Sequence, residues 1–312
     1  MYEKETPLKR DNPEARLGPL DGHNFETAWS GPFLDIQVIT DVGKKRQNNE
    51  DSCLLFVPES ESMRDSRGVL VAVADGMGGA SAGEYASRTA LQCLVKKFYD
   101  KNLHTLVPNA LKLSVECANE YVFDEAEANP DYAGMGTTIS ALTILGNWAY
   151  MAQVGDSRIY LKRASQPLKQ LTNDHSLVAE QIRSGLINEE DARNHTLKNL
   201  ITRAVGIKED INVDLFALQL QVGDVLLLCS DGLSNMVSPE DINLYLETND
   251  VQQAARDLVQ HALAAGGVDN ITVIVVRLTA PPPITNYQQG AKTISFEQPG
   301  LLTRLRSIFT GR

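Results

Sequence analysis

The sequence predicts an α+β sandwich, antiparallel sheet with helices laid over its faces, and three observations predict it. Short segments rich in Val, Ile, Leu and Ala recur between residues 34 and 279. Several follow one another across turns of a few residues, which imposes antiparallel pairing. Two longer segments, 82–99 and 106–127, carry apolar residues at helical spacing and can cover a sheet face.

The elements read in order as follows. Residues 1–33 hold Pro and Gly among charges without a sustained period, and are expected to form a flexible extension. Strands are expected at 35–41, 51–57 and 69–75, the last an unbroken apolar run that reads as fully buried. After the two long helices, strands follow at 137–145, 148–154 and 157–163, with Gly146-Asn147 as a tight hairpin turn. Residues 172–204 break the rhythm and read as short helices around SLVAEQIRSG and NEEDARN. Strands return at 212–219 and 224–230, helices at about 239–247 and 251–265, and a last strand at 270–278. Residues 280–312 change character: a turn-rich linker precedes LLTRLRSIFTGR, which is short, basic and amphipathic as a helix.

Composition narrows the function. The chain has 312 residues with 29 Lys and Arg against 40 Asp and Glu, a net charge of −11. Such a field repels phosphate backbones, so nucleic acid is not an expected partner. No apolar run approaches the ~20 residues of a membrane span, and the charged N-terminus shows no secretory pattern. The cysteines, Cys53, Cys93, Cys117 and Cys229, are widely spaced, which suits free thiols in the cytoplasm and not a zinc site.

The acids carry the chemical information. Asp75 ends VLVAVAD, Asp156 ends AYMAQVGD, Asp231 ends VLLLCSD, Asp269 precedes the final strand, and Glu50-Asp51 opens another. Each alone could cap a turn, because Asp-Gly is a common turn pair. Together they place carboxylates at the ends of several strands. Two carboxylates ~5 Å apart repel by roughly 3 kcal/mol at an effective dielectric of about 20. A cluster therefore calls for cations, and oxygen-only donors select Mg²⁺ or Mn²⁺.

The segments GKKRQNNEDS (43–52), VAVADGMGGASAGEYAS (71–87), GMGTTISAL (134–142), VGDSRIYL (154–161), LTNDHSL (171–177), NLITRAVG (199–206), LLLCSDGLSNMV (226–237) and GGVDNITVIVV (266–276) resemble, in order and spacing, the motifs of the PPM family of metal-dependent serine/threonine protein phosphatases. GMGG resembles the bacterial branch. The resemblance implies a four-layer αββα sandwich of two antiparallel sheets over residues 34–279, with a flap at about 172–204. It implies that Asp75 bridges two metals with the Gly76 carbonyl on one, and that Asp231 and Asp269 complete the other. Asp156 with Asp231 would hold a third ion, Glu50 and Asp51 would act through water, and Arg46 would bind the phosphate. The cofactor is thus expected to be two to three Mn²⁺ or Mg²⁺ ions.

The implied reaction is attack on phosphorus by a hydroxide bridging two ions, with Arg46 and the ions stabilising the phosphoryl oxygens. Phosphorylated proteins, among them a cognate serine/threonine kinase or its substrates, are the expected partners, and a monomer is expected. Animal members carry a His after the Asp-Gly pair; Met77 stands there in this sequence and cannot donate a proton. A metal-bound water, or His175 or His195 in the flap segment, is the candidate to replace it. The tail is expected to pack on its own domain, or to contact a partner or an anionic membrane surface.

Overall fold

The computed structural model describes residues 15–294, apart from 165, 189, 190, 192–194, 198 and 199. The first strands are β1 (Ala15–Gly18), β2 (Phe25–Ser30), β3 (Leu34–Asp41) and β4 (Asp51–Phe56). Helix α1 (Glu61–Arg67) leads into β5 (Val69–Met77), followed by the long helices α2 (Ala80–Phe98) and α3 (Val107–Ala128). Then come β6 (Gly136–Thr137), β7 (Ile139–Leu145), β8 (Trp148–Val154), β9 (Arg158–Lys162) and β10 (Lys169–Gln170). Beyond α4 (Leu177–Arg183) lie β11 (Asp214–Gln219), β12 (Val225–Cys229), α5 (Asp231–Ser234), α6 (Pro239–Tyr245), α7 (Val251–Ala264), β13 (Ile271–Leu278) and β14 (Lys292–Thr293).

One sheet runs β1-β4-β5-β7-β8-β11-β14, with β6 also on β5; the other runs β10-β9-β12-β13-β3-β2. Alternation along the strands sorts side chains into separate layers. In β5, Leu70, Ala72 and Ala74 face α2 and α3, whereas Val69, Val71 and Val73 face the opposite sheet. In β12, Leu226 and Leu228 face inward, whereas Val225, Leu227 and Cys229 pack under α5, α6 and α7. Three apolar layers therefore separate four structural layers, which is the αββα sandwich. Ala82, Ala86 and Ala90 on one face of α2 let that helix lie close on its sheet.

The N-terminal reading is corrected for the described residues. The expected flexible extension contains β1, which pairs with β4, and β2, which pairs with β3. β2 is an edge strand and mostly half-buried, so its apolar period is incomplete, and this hid it. The flap segment keeps its first helix as α4. The second expected helix, around NEEDARN, falls largely outside the described residues. Among the described residues no helix is long and apolar enough to cross a membrane.

The expected linker is corrected as well. As far as Ile294 it is strapped across the sheet that carries the long helices. Thr285 N–H donates to Asn147 Oδ1 (2.9 Å) in the β7–β8 turn. The Tyr287 ring lies 4.9 Å from that of Trp148. Gln288 N–H donates to the Tyr150 hydroxyl (2.9 Å), and its side-chain oxygen accepts from Val107 N–H (2.6 Å) at the start of α3. β14 then adds to β11 in parallel, an exception to the antiparallel expectation, and Ile294 N–H donates to the Ala217 carbonyl (2.8 Å). The basic tail that follows lies outside the described residues.

Deleting 281–312 is expected to lower the melting temperature roughly 5–10 °C further than deleting 295–312, because Trp148, Tyr150 and the β11 edge lose their cover. Differential scanning calorimetry of the two truncations checks this; equal melting temperatures would show that the strap contributes nothing.

Candidate metal centre and active site

The layer between the sheets changes from apolar to polar at one end of the sandwich. Asp75 follows Val71 and Val73 in phase, and Asp51 precedes Cys53 and Leu55 in phase, so both carboxylates point between the sheets. They are direct cross-strand partners in the β4–β5 ladder. Ser140 of β7 and Gln153 of β8 share this face, as do Thr40 of β3 and Thr272 of β13. All four are fully buried.

Turn chemistry brings in the remaining acids. Asp231 opens α5 at the end of β12, and a side chain at Gly232 would collide with the Asn270 carbonyl. This close approach sets Asp231 beside Asp269. Gly76 is equally constrained: a Cβ there would run into the carbonyls of Gly83 and Glu50 (the latter at 2.5 Å). Asn270 ties the corner together. Its Oδ1 accepts from Glu50 N–H (2.8 Å), and its Nδ2 donates to the carbonyls of Val42 and Asn48 (both 3.0 Å).

Each carboxylate has a distinct environment. Asp51 Oδ2 accepts from the hydroxyls of Ser230 (2.7 Å) and Thr272 (2.6 Å). Thr272 in turn meets Thr40 (2.7 Å), which accepts from Asn49 Nδ2 (3.0 Å), a buried relay of hydrogen bonds. Thr138 Oγ1 accepts from Asp75 N–H (2.9 Å) and contacts Ser157 Oγ (2.7 Å), which links the strand of Asp75 to the turn of Asp156. Asp156 Oδ1 is buried without a hydrogen-bond partner.

Burial raises the pKa of Glu50, Asp51, Asp75, Asp156 and Asp231, and neighbouring carboxylates raise them further. Asp75 lies well above the usual carboxylate range, through burial and then the charges of Asp51, Asp231, Asp156 and Asp269. Burial and the charges of Asp231 and Asp269 push Asp51 up to about 7 against its two hydroxyl donors. Asp156 rises to about 7 through burial, Asp231 and Asp174. Asp231 is raised by burial and Asp269, and hydrogen-bonds Asp75. Glu50 is raised by burial as well.

Among the described residues no three His, Cys, Asp or Glu side chains already stand in ligand geometry around one point. Arg46 offsets part of this charge at the edge of the cluster. Arg46 Nη2 donates to Asp269 Oδ2 (2.9 Å), and Nη1 lies 3.9 Å from Glu50 Oε1. The donor set fits hard divalent ions: five aspartates whose charges act on one another, oxygen donors only, and one buried carboxylate oxygen left without a partner.

The two histidines stand in different environments. His175 is only 3% exposed, and its ring is engaged with the Gly155 amide, so it is no surface proton donor. His195 is half-buried and its Nδ1 accepts from Leu197 N–H (3.1 Å), closing a local turn. The cysteines are free thiols whose pKa burial pushes up, to about 12 for Cys93 and Cys229, which unsuits them as nucleophiles. Sequence reasoning missed Ser230, Thr272, Asn270 and Thr138. Their signal was present: hydroxyls and an amide in phase with, or beside, the inward strand positions at the acidic end.

Comparisons with known proteins agree with this arrangement. Residues 43–266 match the protein phosphatase 2C family. The chain is 39% identical over 253 residues to protein phosphatase PhpP of Streptococcus pneumoniae, covering 78% of this chain and 98% of that protein. It is similar to the crystal structure of the Mycobacterium tuberculosis serine/threonine phosphatase PstP/Ppp, with a TM-score of 0.71 and 35% identity over 80% of this chain and all of that one. A second solved structure, the PstP catalytic domain in complex with two manganese ions, has a TM-score of 0.68 and 35% identity, covering 80% of this chain and 99% of that one. β1 to β3 and the C-terminal strap lie outside the family match. The inward-facing acids and the extent of these likenesses place the chain in the protein phosphatase 2C family, as a metal-dependent protein phosphatase of bacterial type.

Proposed function

We propose that the chain hydrolyses phosphoserine and phosphothreonine in proteins and so opposes a serine/threonine kinase in the cytoplasm, acting as a monomer. The observation that carries this reading is the gathering of Asp51, Asp75, Asp156, Asp231 and Asp269 at one end of the inter-sheet layer, with Arg46 at its edge. The similarity to serine/threonine phosphatases of bacteria supports the substrate class.

Asp75, the Gly76 carbonyl, Asp231 and Asp269 would hold two Mn²⁺ or Mg²⁺ ions, Asp156 with Asp231 a third, and Glu50 and Asp51 would act through water. When bound, such ions acidify water to hydroxide near neutral pH and offset phosphoryl charge. Arg46 presents a planar fork to the non-bridging oxygens and orients the phosphorus. Its contact with Asp269 Oδ2 (2.9 Å) holds the fork at the rim of the acids that would bind the ions. The Ser230 and Thr272 hydroxyls orient Asp51. With Met77 unable to donate and His175 buried, water and His195 are the sources left for the proton of the departing seryl or threonyl oxygen.

Arg46→Ala is expected to raise KM for a phosphothreonine peptide by roughly 10–100-fold with a smaller fall in kcat, and Arg46→Lys to recover little of it. Steady-state kinetics checks this; an unchanged KM would make Arg46 a partner of Asp269 only. The functional reading itself is tested with phosphopeptide, p-nitrophenyl phosphate and ATP as substrates. Hydrolysis of the first two in Mn²⁺, abolished by EDTA, is expected. Activity that survives EDTA, or turnover of ATP alone, would overturn it.

A further inference from the structure

We propose that His175 is a positioning residue that holds the Gly155–Asp156 turn, and with it the carboxylate of Asp156, in register with the rest of the cluster. The inference rests on the reading of Asp156 as a cation ligand. It starts from the shape of the β8–β9 turn. Gly155 has φ +99°, and a Cβ there would meet the Thr138 methyl at 2.5 Å, so the backbone of the turn packs directly against β7 and its flank. The buried Asp156 oxygen has no hydrogen-bond partner. With Oδ1 untethered, the place of that carboxylate is set chiefly by the backbone that carries it.

His175 grips that backbone twice. Its own N–H donates to the Gly155 carbonyl (2.9 Å), and its Nδ1 accepts from Gly155 N–H (3.1 Å). One residue thus engages both backbone polar groups of Gly155, the residue preceding the aspartate. Acceptance at Nδ1 assigns the proton of the neutral ring to Nε2, which lies 3.3 Å from Asp214 Oδ2. Arg203 Nη1 sits 3.0 Å from Nε2 and donates to Asp214 Oδ1 (2.8 Å) and to the Asn212 carbonyl (3.0 Å). Burial, then the Arg203 charge, keep the ring pKa below its ordinary value, so the acceptor lone pair on Nδ1 persists.

The same residue roots the flap. Its carbonyl accepts from Thr202 N–H (2.8 Å), next to the isolated bridge between Ser176 and Ile201. Its neighbour Asp174 is forked by Arg158 of β9 (2.6 Å to Oδ2) and offers its carbonyl to Arg183 of α4 (3.0 Å). The segment 174–176 is therefore a clamp between the flap and the turn that presents Asp156. A group in this position acts on the cation site through geometry, as partners of ligand residues do, where loss costs 10–100-fold in affinity.

The test uses the full chain stripped of metal, and four variants: His175→Leu, His175→Asn, His175→Gln and Asp156→Ala. Asn places an amide oxygen where Nδ1 stood, Gln reaches only the Nε2 position, and Leu fills the space without an acceptor. Mn²⁺ binding by isothermal titration calorimetry and metal-free melting temperature are read together. His175→Leu and His175→Gln are expected to weaken the weakest Mn²⁺ site at least about tenfold, as Asp156→Ala does, whereas His175→Asn keeps it within about threefold. If His175→Leu does not fold, the Asn and Gln variants decide by the same comparison. Wild-type isotherms for Leu or Gln, with Asp156→Ala impaired, would overturn the positioning role. A wild-type isotherm for Asp156→Ala would instead overturn the reading of Asp156 as a ligand.

Discussion

Asp75→Asn and Asp231→Asn are each expected to lower turnover of p-nitrophenyl phosphate by about a thousandfold or more, while the metal-free protein melts higher than the wild type. The two effects share one cause. In the folded chain Asp75, itself half-buried, lies among the charges of Asp51, Asp231, Asp156 and Asp269. If Asp75 and Asp231 hold cations as proposed, binding needs that charge, and losing one of them removes both the affinity and the electrostatic stabilisation it supports; a thousandfold corresponds to about 4 kcal/mol of barrier. Without cations the same charge is a liability, because buried carboxylates repel and must take up protons. An amide of the same shape relieves this. Steady-state kinetics in Mn²⁺ and calorimetry in EDTA measure the two together. Turnover within tenfold of wild type would remove the residue from the reaction. A lowered metal-free melting temperature would show that its carboxylate stabilises the fold.

The second large effect is a reversed pH dependence of stability. Asp51 and Asp156 have pKa values of about 7 in the fold against 3.8 for a free aspartate, and Asp75 is also raised. Between pH 4 and 7 the folded state therefore holds more protons than the unfolded state. Their stabilising contribution is complete below about pH 4 and is lost as the pH rises through about 7. A shift of this size corresponds to about 4 kcal/mol for one group, and the groups do not add because they belong to one cluster. Urea unfolding in EDTA at pH 5, 6, 7 and 8 is expected to show stability falling by several kcal/mol. In saturating Mn²⁺ the trend reverses, because the ligands must be ionised to bind. Metal-free stability that rises between pH 5 and 8 would show that these carboxylates are already ionised in the fold.

The acids of the site were legible in the sequence because each sits where an apolar strand meets Gly or Asn, and an acid at the end of VLVAVAD or VLLLCSD has few structural uses. The residues that tune them were not. Ser230 and Thr272 reach Asp51 from the opposite sheet. Thr138 binds the amide of Asp75 across the first sheet. Such contacts need the register of two sheets at once, and no local period reports it.

By itself the sequence determined the longer strands and the two long helices between residue 34 and residue 278, though not the two-residue strands β6 and β10, and it singled out the acids, because these rest on short-range alternation and on turn chemistry. The tertiary structure alone decided four things. β1 and β2 are edge strands, recognisable only once β4 and β3 are in place. The segment up to Ile294 joins the fold because Trp148, Tyr150 and the edge of β11 present a surface for it. Arg46 meets Asp269, 223 residues away. His175 is buried against Gly155, so that a residue the sequence suggests as a proton donor becomes part of the frame. Each depends on pairings between distant segments, whose free energy comes from surfaces that exist only after the two sheets have packed.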